Sequence, residues 1–125
     1  MDNRKTILVV DDTSANLQFC KGILASNYDV RLAKSGKAAL GALERIHPDV
    51  VLLDIEMPDM TGFEVMEEMN KIASLEKPHV IFVTSHATAK LVEKALGLGA
   101  VDYIVKPFHP DVLLAKVKNA LDTAN

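Results

Sequence analysis

Three aspartates stand out by where they fall. Asp11 and Asp12 directly follow the apolar run from Ile7 to Val10, and Asp54 directly follows the run from Val50 to Leu53. Two more polar residues close β-rich runs in the same way: Thr84 after Val80 to Val83, and Lys106, itself followed by Pro107, after Val101 to Val105. If those runs are neighbouring parallel strands, all five residues lie at one end of a sheet. Three carboxylates gathered there repel one another and acquire raised pKa values unless a cation joins them. With oxygen ligands and neither His nor Cys at those strand ends, the expected cation is magnesium, which keeps several waters and takes one or two carboxylates. Asp11 or Asp12 would supply one inner ligand, Asp54 a second, and a backbone carbonyl of the following loop, that of Glu56, another. Any one of these aspartates alone reads as a solvated turn residue. Four matching strand ends outweigh that reading.

The elements that would position these residues are legible as periodicity. Besides the four runs already named, Tyr28 to Leu32 forms a fifth. A first helix is expected over Ser14 to Ala25, and a second after Ser35, with Ala39, Leu43 and Ile46 on one face and Pro48 ending it. A third carries Val65, Met66, Met69 and Ile72, a fourth Leu91, Val92, Ala95 and Leu96, and a fifth Leu113, Leu114, Val117 and Leu121. Five repeats of strand then helix predict an α/β protein, a doubly wound five-stranded parallel sheet with right-handed crossovers and helices on both faces. Near-continuous Val, Ile and Leu in the first, third and fourth runs marks strands buried on both sides. The second run alternates Tyr28, Val30 and Leu32 with Asp29 and Arg31, which places it at an edge and favours the flavodoxin-like order 2-1-3-4-5. In such sheets ligands bind beyond the carboxyl ends of the strands, near the switch between strands one and three.

Composition narrows the function. At 125 residues, nearly half of them apolar, the chain is expected to be a single domain over 1–125 with its core at about 5–122 and frayed ends at 1–5 and 123–125. Fourteen basic and 17 acidic residues are scattered without a basic cluster, so no direct nucleic acid contact and no anionic membrane surface are expected. Apolar runs of four or five residues fall far short of the ~20 that span a bilayer, and the amino-terminal residues lack a secretory pattern, so the expected location is cytoplasmic. Cys20, the only cysteine, shares an apolar helix face with Leu17, Ile23 and Leu24, and reads as a packing residue. His47, His79 and His109 are dispersed without metal-ligand spacing, and His86 reads as a solvated loop residue.

The run Val9-Val10-Asp11-Asp12, the run from Asp54 to Gly62, Thr84, and the run from Tyr103 to Phe108 together resemble the receiver domains of two-component response regulators. The resemblance spans about residues 5 to 122. It implies that Asp54 is the phosphoacceptor, attacking the phosphohistidine of a sensor histidine kinase or of a histidine phosphotransfer protein to give an acyl phosphate. Magnesium would bridge Asp54 and the phosphoryl oxygens, Lys106 would pair with Asp54 at rest and with the phosphoryl group after transfer, and the Thr84 hydroxyl would donate to that group. The same resemblance implies a cis bond between Lys106 and Pro107, and makes Tyr103 the switch aromatic that turns inward as Thr84 moves. Pro58 and Gly62 would shape the loop, Pro58 by fixing φ and Gly62 by taking conformations closed to other residues. The position after Thr84, Ala or Gly in most of the family, is Ser85 here, and Glu56 and His86 occupy the positions that influence how water reaches the acyl phosphate. The first helix and the adjacent loops would form the kinase docking surface. Output would pass through the fourth helix, fifth strand and fifth helix to an effector domain or protein, or to a homodimer in which Lys90, Glu93, Lys94, Asp102, Lys116 and Lys118 form charged pairs. Val101 stands where receivers that dimerise through this face often carry Asp.

Three other readings share parts of this pattern. A flavodoxin-like electron carrier needs a Ser/Thr/Gly-rich phosphate loop after the first strand, where Asp11 and Asp12 would repel a flavin phosphate. A magnesium-dependent phosphohydrolase with an aspartyl nucleophile carries it after the first strand rather than the third, and adds a cap. A phosphorylation-independent interaction module would have lost an acidic residue, Thr or Lys. The chain therefore reads as a phosphoryl-accepting switch rather than an enzyme acting on other substrates.

Overall fold

The computed structural model describes residues 4–72 and 77–122. Five strands and five helices alternate in the order β1 (Thr6–Val10), α1 (Ser14–Leu24), β2 (Asp29–Ala33), α2 (Gly36–Ile46), β3 (Val50–Asp54), α3 (Gly62–Lys71), β4 (His79–Thr84), α4 (Ala89–Gly97), β5 (Asp102–Val105) and α5 (Pro110–Asp122). All strand pairs are parallel, and the sheet order is β2-β1-β3-β4-β5, as expected.

The strand side chains divide by parity, as the pleat demands. Leu8, Val10, Val51, Leu53, Val80 and Phe82 face one core, where α2 contributes Ala39 and Leu43 and α3 contributes Val65, Met66 and Met69. Ile7, Val9, Val50, Leu52, Ile81 and Val83 face the other, against Leu17, Cys20 and Leu24 of α1 and Leu113 and Val117 of α5. The three central strands are thus apolar on both faces, which is why their sequences show no alternation. β2, at an edge, keeps Arg31 exposed. Cys20 is fully buried, and that burial, with a smaller contribution from Asp11, pushes its thiol up to about 12, which makes it a packing group rather than a nucleophile.

Helix ends follow local chemistry. Ser35 caps α2 by accepting from the Ala38 N–H, and Thr61 opens α3 with a reciprocal capping box to Glu64. α2 stops at Ile46 because His47 takes a left-handed conformation (φ 52°) ahead of Pro48.

Four expectations need correction. Leu96, expected on the inward face of α4, is 52% exposed. The helix meets the core through the narrow stripe of Leu91, Ala95 and the following Leu98, and one further residue carries the side chain about 100° around the axis into solvent. β5 begins at Asp102 rather than Val101, which is itself exposed although its N–H donates to the Val80 carbonyl (2.9 Å). Ile72, expected within the third helix, is its C-cap in an extended conformation. Arg4 and Lys5 do not fray: Arg4 donates to the Ala25 carbonyl (3.0 Å), and the Lys5 carbonyl accepts the Asp29 N–H (2.9 Å). Residues 1–3 and 123–125, also expected to fray, lie outside the described residues.

Candidate functional site

Strand register brings the polar strand ends together. Val10 pairs with Leu53, so Asp11 and Asp54 each lie one step beyond a shared rung; Asp54 pairs with Val83, and Thr84 with Val105, which Lys106 follows. The carboxylates of Asp11, Asp12 and Asp54 each offer an oxygen within 4.8 Å of the others. Asp11 and Asp54 are buried, and Asp12 is exposed at the rim.

Each carboxylate is held by donors of its own. Asp11 accepts the Thr13 N–H (2.9 Å) and the Asn16 side-chain amide (3.2 Å), so it also organises the entry to α1. Asp54 accepts the Glu56 N–H (3.3 Å). Lys106 Nζ stands 3.3 Å from Asp54 Oδ2 and 3.3 Å from Asp11 Oδ2, one ammonium between two buried acids. The Lys106–Pro107 bond is cis.

One ammonium does not compensate both acids. Desolvation, reinforced by Asp11, raises the Asp54 carboxyl to about 6, against the opposing pull of Lys106 and the Glu56 N–H. Burial alone would lower Lys106, but the attraction of Asp54 and Asp11 outweighs it and raises the ammonium above its ordinary value. Three acids face one base in this cluster, a net excess of two negative charges. Oxygen-only donors with that excess fit a hard divalent cation, so the cluster can bind a metal ion.

Thr84 is fully buried, and its hydroxyl points to the β3–α3 loop: it lies 2.9 Å from Glu56 Oε1 and 3.1 Å from the His86 carbonyl, and accepts the His86 N–H (3.2 Å). Glu56 Oε1 also accepts the Ser85 N–H (3.2 Å). The Ser85 N–H, then the Thr84 hydroxyl, hold the Glu56 carboxyl below its ordinary range. Tyr103 is half-buried, with Lys116 Nζ 4.8 Å from its ring centroid; the same ammonium bonds the Tyr103 carbonyl (2.7 Å) and Asp102 (3.0 Å). His86 is exposed, as expected of a loop residue.

The β3–α3 loop is shaped by contacts rather than by unusual dihedrals. Pro58 is exposed between buried Met57 and Asp59, whose carboxylate accepts the Gly36 (3.3 Å) and Lys37 (3.2 Å) N–H groups at the start of α2. Gly62 was expected to exploit a conformation closed to other residues, but among the described glycines only Gly99 has positive φ. Gly62 is required for space: a Cβ there would lie 2.5 Å from the Asp54 carbonyl oxygen and 3.0 Å from Ile55 Cα, and its N–H donates to the Ile55 carbonyl (2.9 Å). Gly62→Ala should therefore push the loop off β3 and cost about 2 kcal/mol or more in urea unfolding. No loss, or the gain that helix propensity alone gives Ala over Gly, would refute the steric argument.

Three contacts were not anticipated from sequence: the Asn16 amide on Asp11, the Asp59 cap on α2, and the Glu56 carboxylate on Thr84. Asn16, five residues past Asp11 in the first turn of α1, offered a local clue. The other two join segments 22 to 29 residues apart and left no periodic trace.

Fold and site define a flavodoxin-like α/β protein whose switch-point crevice is acidic, able to hold a cation, and flanked by a conformationally placed Thr and Lys. The chain belongs to the response regulator receiver domain family, whose profile matches residues 7–118. It is 40% identical over 116 residues to a probable cyclic di-GMP phosphodiesterase of Vibrio cholerae, covering 93% of this chain and 26% of that protein. It is 37% identical over 109 residues to the signal transduction histidine-protein kinase BarA of Escherichia coli, covering 86% of this chain and 12% of the kinase. A CheY-like response regulator receiver domain protein from Methanospirillum hungatei superposes with a TM-score of 0.88 at 36% identity, covering 97% of this chain and 96% of that one. The chain thus spans between about an eighth and a half of the length of the curated relatives it matches. It is a receiver, a signalling domain of two-component and phosphorelay systems. Among the described residues no helix is long and apolar enough to cross a membrane.

Proposed function

We propose that the chain is switched by Mg²⁺-dependent transfer of a phosphoryl group to Asp54 from a histidine kinase or a histidine phosphotransfer protein. The observation that carries this reading is the buried Asp54 carboxylate, set against Lys106 and within 4.8 Å of two further acids. Asp11, Asp12 and Asp54, with the Glu56 backbone carbonyl, would hold magnesium, which when bound neutralises charge on the transferring phosphoryl oxygens.

The chain's own groups do the rest. An Asp54 carboxylate oxygen attacks phosphorus in line, and the P–N bond breaks with its electron pair leaving on the donor imidazole. Lys106, already on Asp54 Oδ2, is placed to follow the charge onto a phosphoryl oxygen. Thr84 turns its hydroxyl to the same group, and the space it leaves admits the Tyr103 ring. The activity is stoichiometric, confined to the domain's own phosphorylation and dephosphorylation, and not that of an enzyme with an external substrate.

Partner surfaces follow from exposure. Phe19 of α1 is 45% exposed and stacks on Phe108 (6.1 Å), beside an open groove of about 440 Å³ lined by Asn16, Phe19, Lys106, Pro107 and Phe108, which suits an apolar helical face presenting a phosphohistidine. On the α4–β5–α5 face, the exposed apolar side chains Leu96, Val101 and Val105 are available to an effector or a second copy. Within the chain Lys116 already pairs with Asp102, and Lys94 lies over the Phe63 ring (4.7 Å), so a charged dimer seam would have to exchange these contacts. No role for nucleic acid or membrane is proposed, and the setting is the cytoplasm, where phosphohistidine donors reside.

The test is intact mass after incubation with a small acyl-phosphate donor. The expected result is a gain of one phosphoryl group with magnesium and none with chelator, hydroxylamine-labile and mapped to the peptide containing Asp54. A magnesium-independent adduct, or one on another residue, would refute the assignment.

A further inference from the structure

The Thr84 hydroxyl has one proton to donate and two acceptors in reach, Glu56 Oε1 at 2.9 Å and the His86 carbonyl at 3.1 Å. The charged and shorter contact holds it, since hydrogen bonds to carboxylates are the stronger kind. The same Glu56 oxygen takes the Ser85 N–H, so one carboxylate fixes both the side chain of Thr84 and the backbone that follows it. Glu56 is exposed, whereas Thr84 is fully buried. The anchor is therefore free to leave into water, while the anchored group can turn only toward another buried acceptor. A phosphoryl group on Asp54 would offer such an acceptor, because Asp54 ends β3 and Thr84 ends the neighbouring β4.

We propose that the Glu56 carboxylate is a latch that holds Thr84 in its resting orientation, so that the switch is an exchange of the Thr84 proton between two anions, Glu56 before phosphorylation and a phosphoryl oxygen after it. This deepens the reading of Asp54 as phosphoacceptor and rests on it. Glu56 is thereby a positioning residue through its side chain, apart from any use of its backbone carbonyl. It sets how far the resting state is favoured, because a ligand shifts the equilibrium only by its differential contacts with the two states.

The experiment compares wild type, Glu56→Gln and Glu56→Ala by NMR, first alone and then titrated with beryllofluoride and magnesium as the phosphoryl mimic. Alone, Glu56→Ala should move the Thr84 methyl and Ser85 amide resonances, and Glu56→Gln, which keeps an acceptor oxygen, should move them less. In the titration Glu56→Ala should bind the mimic roughly tenfold more tightly than wild type, the size expected for loss of one hydrogen bond to a charged group, with Glu56→Gln between the two. Equal gains in Gln and Ala would mean relief of charge repulsion and would overturn the latch, as would no gain in either. If wild type binds no mimic at Asp54, the phosphoacceptor reading fails. The Thr84 and Ser85 resonances of the mimic-free proteins then still decide the latch, which unmoved signals in Glu56→Ala overturn.

Discussion

Asp54→Asn is expected to make the protein more stable, by roughly 3 kcal/mol at pH 8 in magnesium-free buffer, while removing its capacity to accept a phosphoryl group. Burial and Asp11 raise the Asp54 carboxyl to about 6 in the folded chain, from an ordinary 3.8. Between those values the folded state binds the proton more tightly than the unfolded state does. Wild-type stability therefore falls as pH rises from about 4 to about 6, and the full cost persists above 6. Asparagine keeps the shape and removes the titrating group. Urea unfolding of both proteins across pH 4.5 to 8 should show the variant's advantage growing with pH and shrinking when magnesium is added. A constant difference across that range would mean that Asp54 is not the strained group.

Lys106→Met should act in the opposite sense. Lys106 lies 3.3 Å from both buried acids, and without it Asp11 and Asp54 confront each other with only the Glu56, Thr13 and Asn16 donors to help. Stripping one partner from a buried ion pair costs about 3 kcal/mol or more. The loss should be largest at pH 8, smaller at pH 5 where Asp54 takes up a proton, and partly repaired by magnesium. Melting temperatures with and without the metal measure this, the expected outcome being a larger magnesium-induced rise in the variant than in wild type. Equal losses at both pH values would assign the effect to packing of the lysine stem.

Both arguments use residues legible in the sequence because they end strands. Where side-chain period is two and the central runs are apolar on both faces, the register of Val10 with Leu53 and of Thr84 with Val105 is almost forced, and so is the gathering of Asp11, Asp54, Thr84 and Lys106. The sequence is silent where a choice depends on a partner far along the chain. Glu56 lies in the loop after Asp54, and its local pattern gives its backbone a role but nothing about its carboxylate. That rotamer is decided by Thr84 and Ser85, which arrive from another strand. Gly62 reads from sequence as a loop-shaping residue for a dihedral reason, whereas in the structure closeness to the Asp54 carbonyl is what excludes a side chain. In α4 the apolar pattern was read one residue too wide at Leu96, because periodicity gives the direction of a buried stripe better than its width.

The ammonium of Lys116 over the Tyr103 ring has a practical corollary for optical work. The chain contains two tyrosines and no tryptophan, and Tyr28 precedes β2 at the opposite edge of the sheet from β5. Ultraviolet emission therefore comes from two chromophores at the two edges, with nothing brighter to mask them. Among the described residues only Tyr103 has a cation against its face in the resting state, and it has a proposed route to a second, apolar environment. The protein thus carries its own label at the edge where the signal is proposed to leave, and an internal reference at the other, so stopped-flow emission can time the rearrangement without an attached dye.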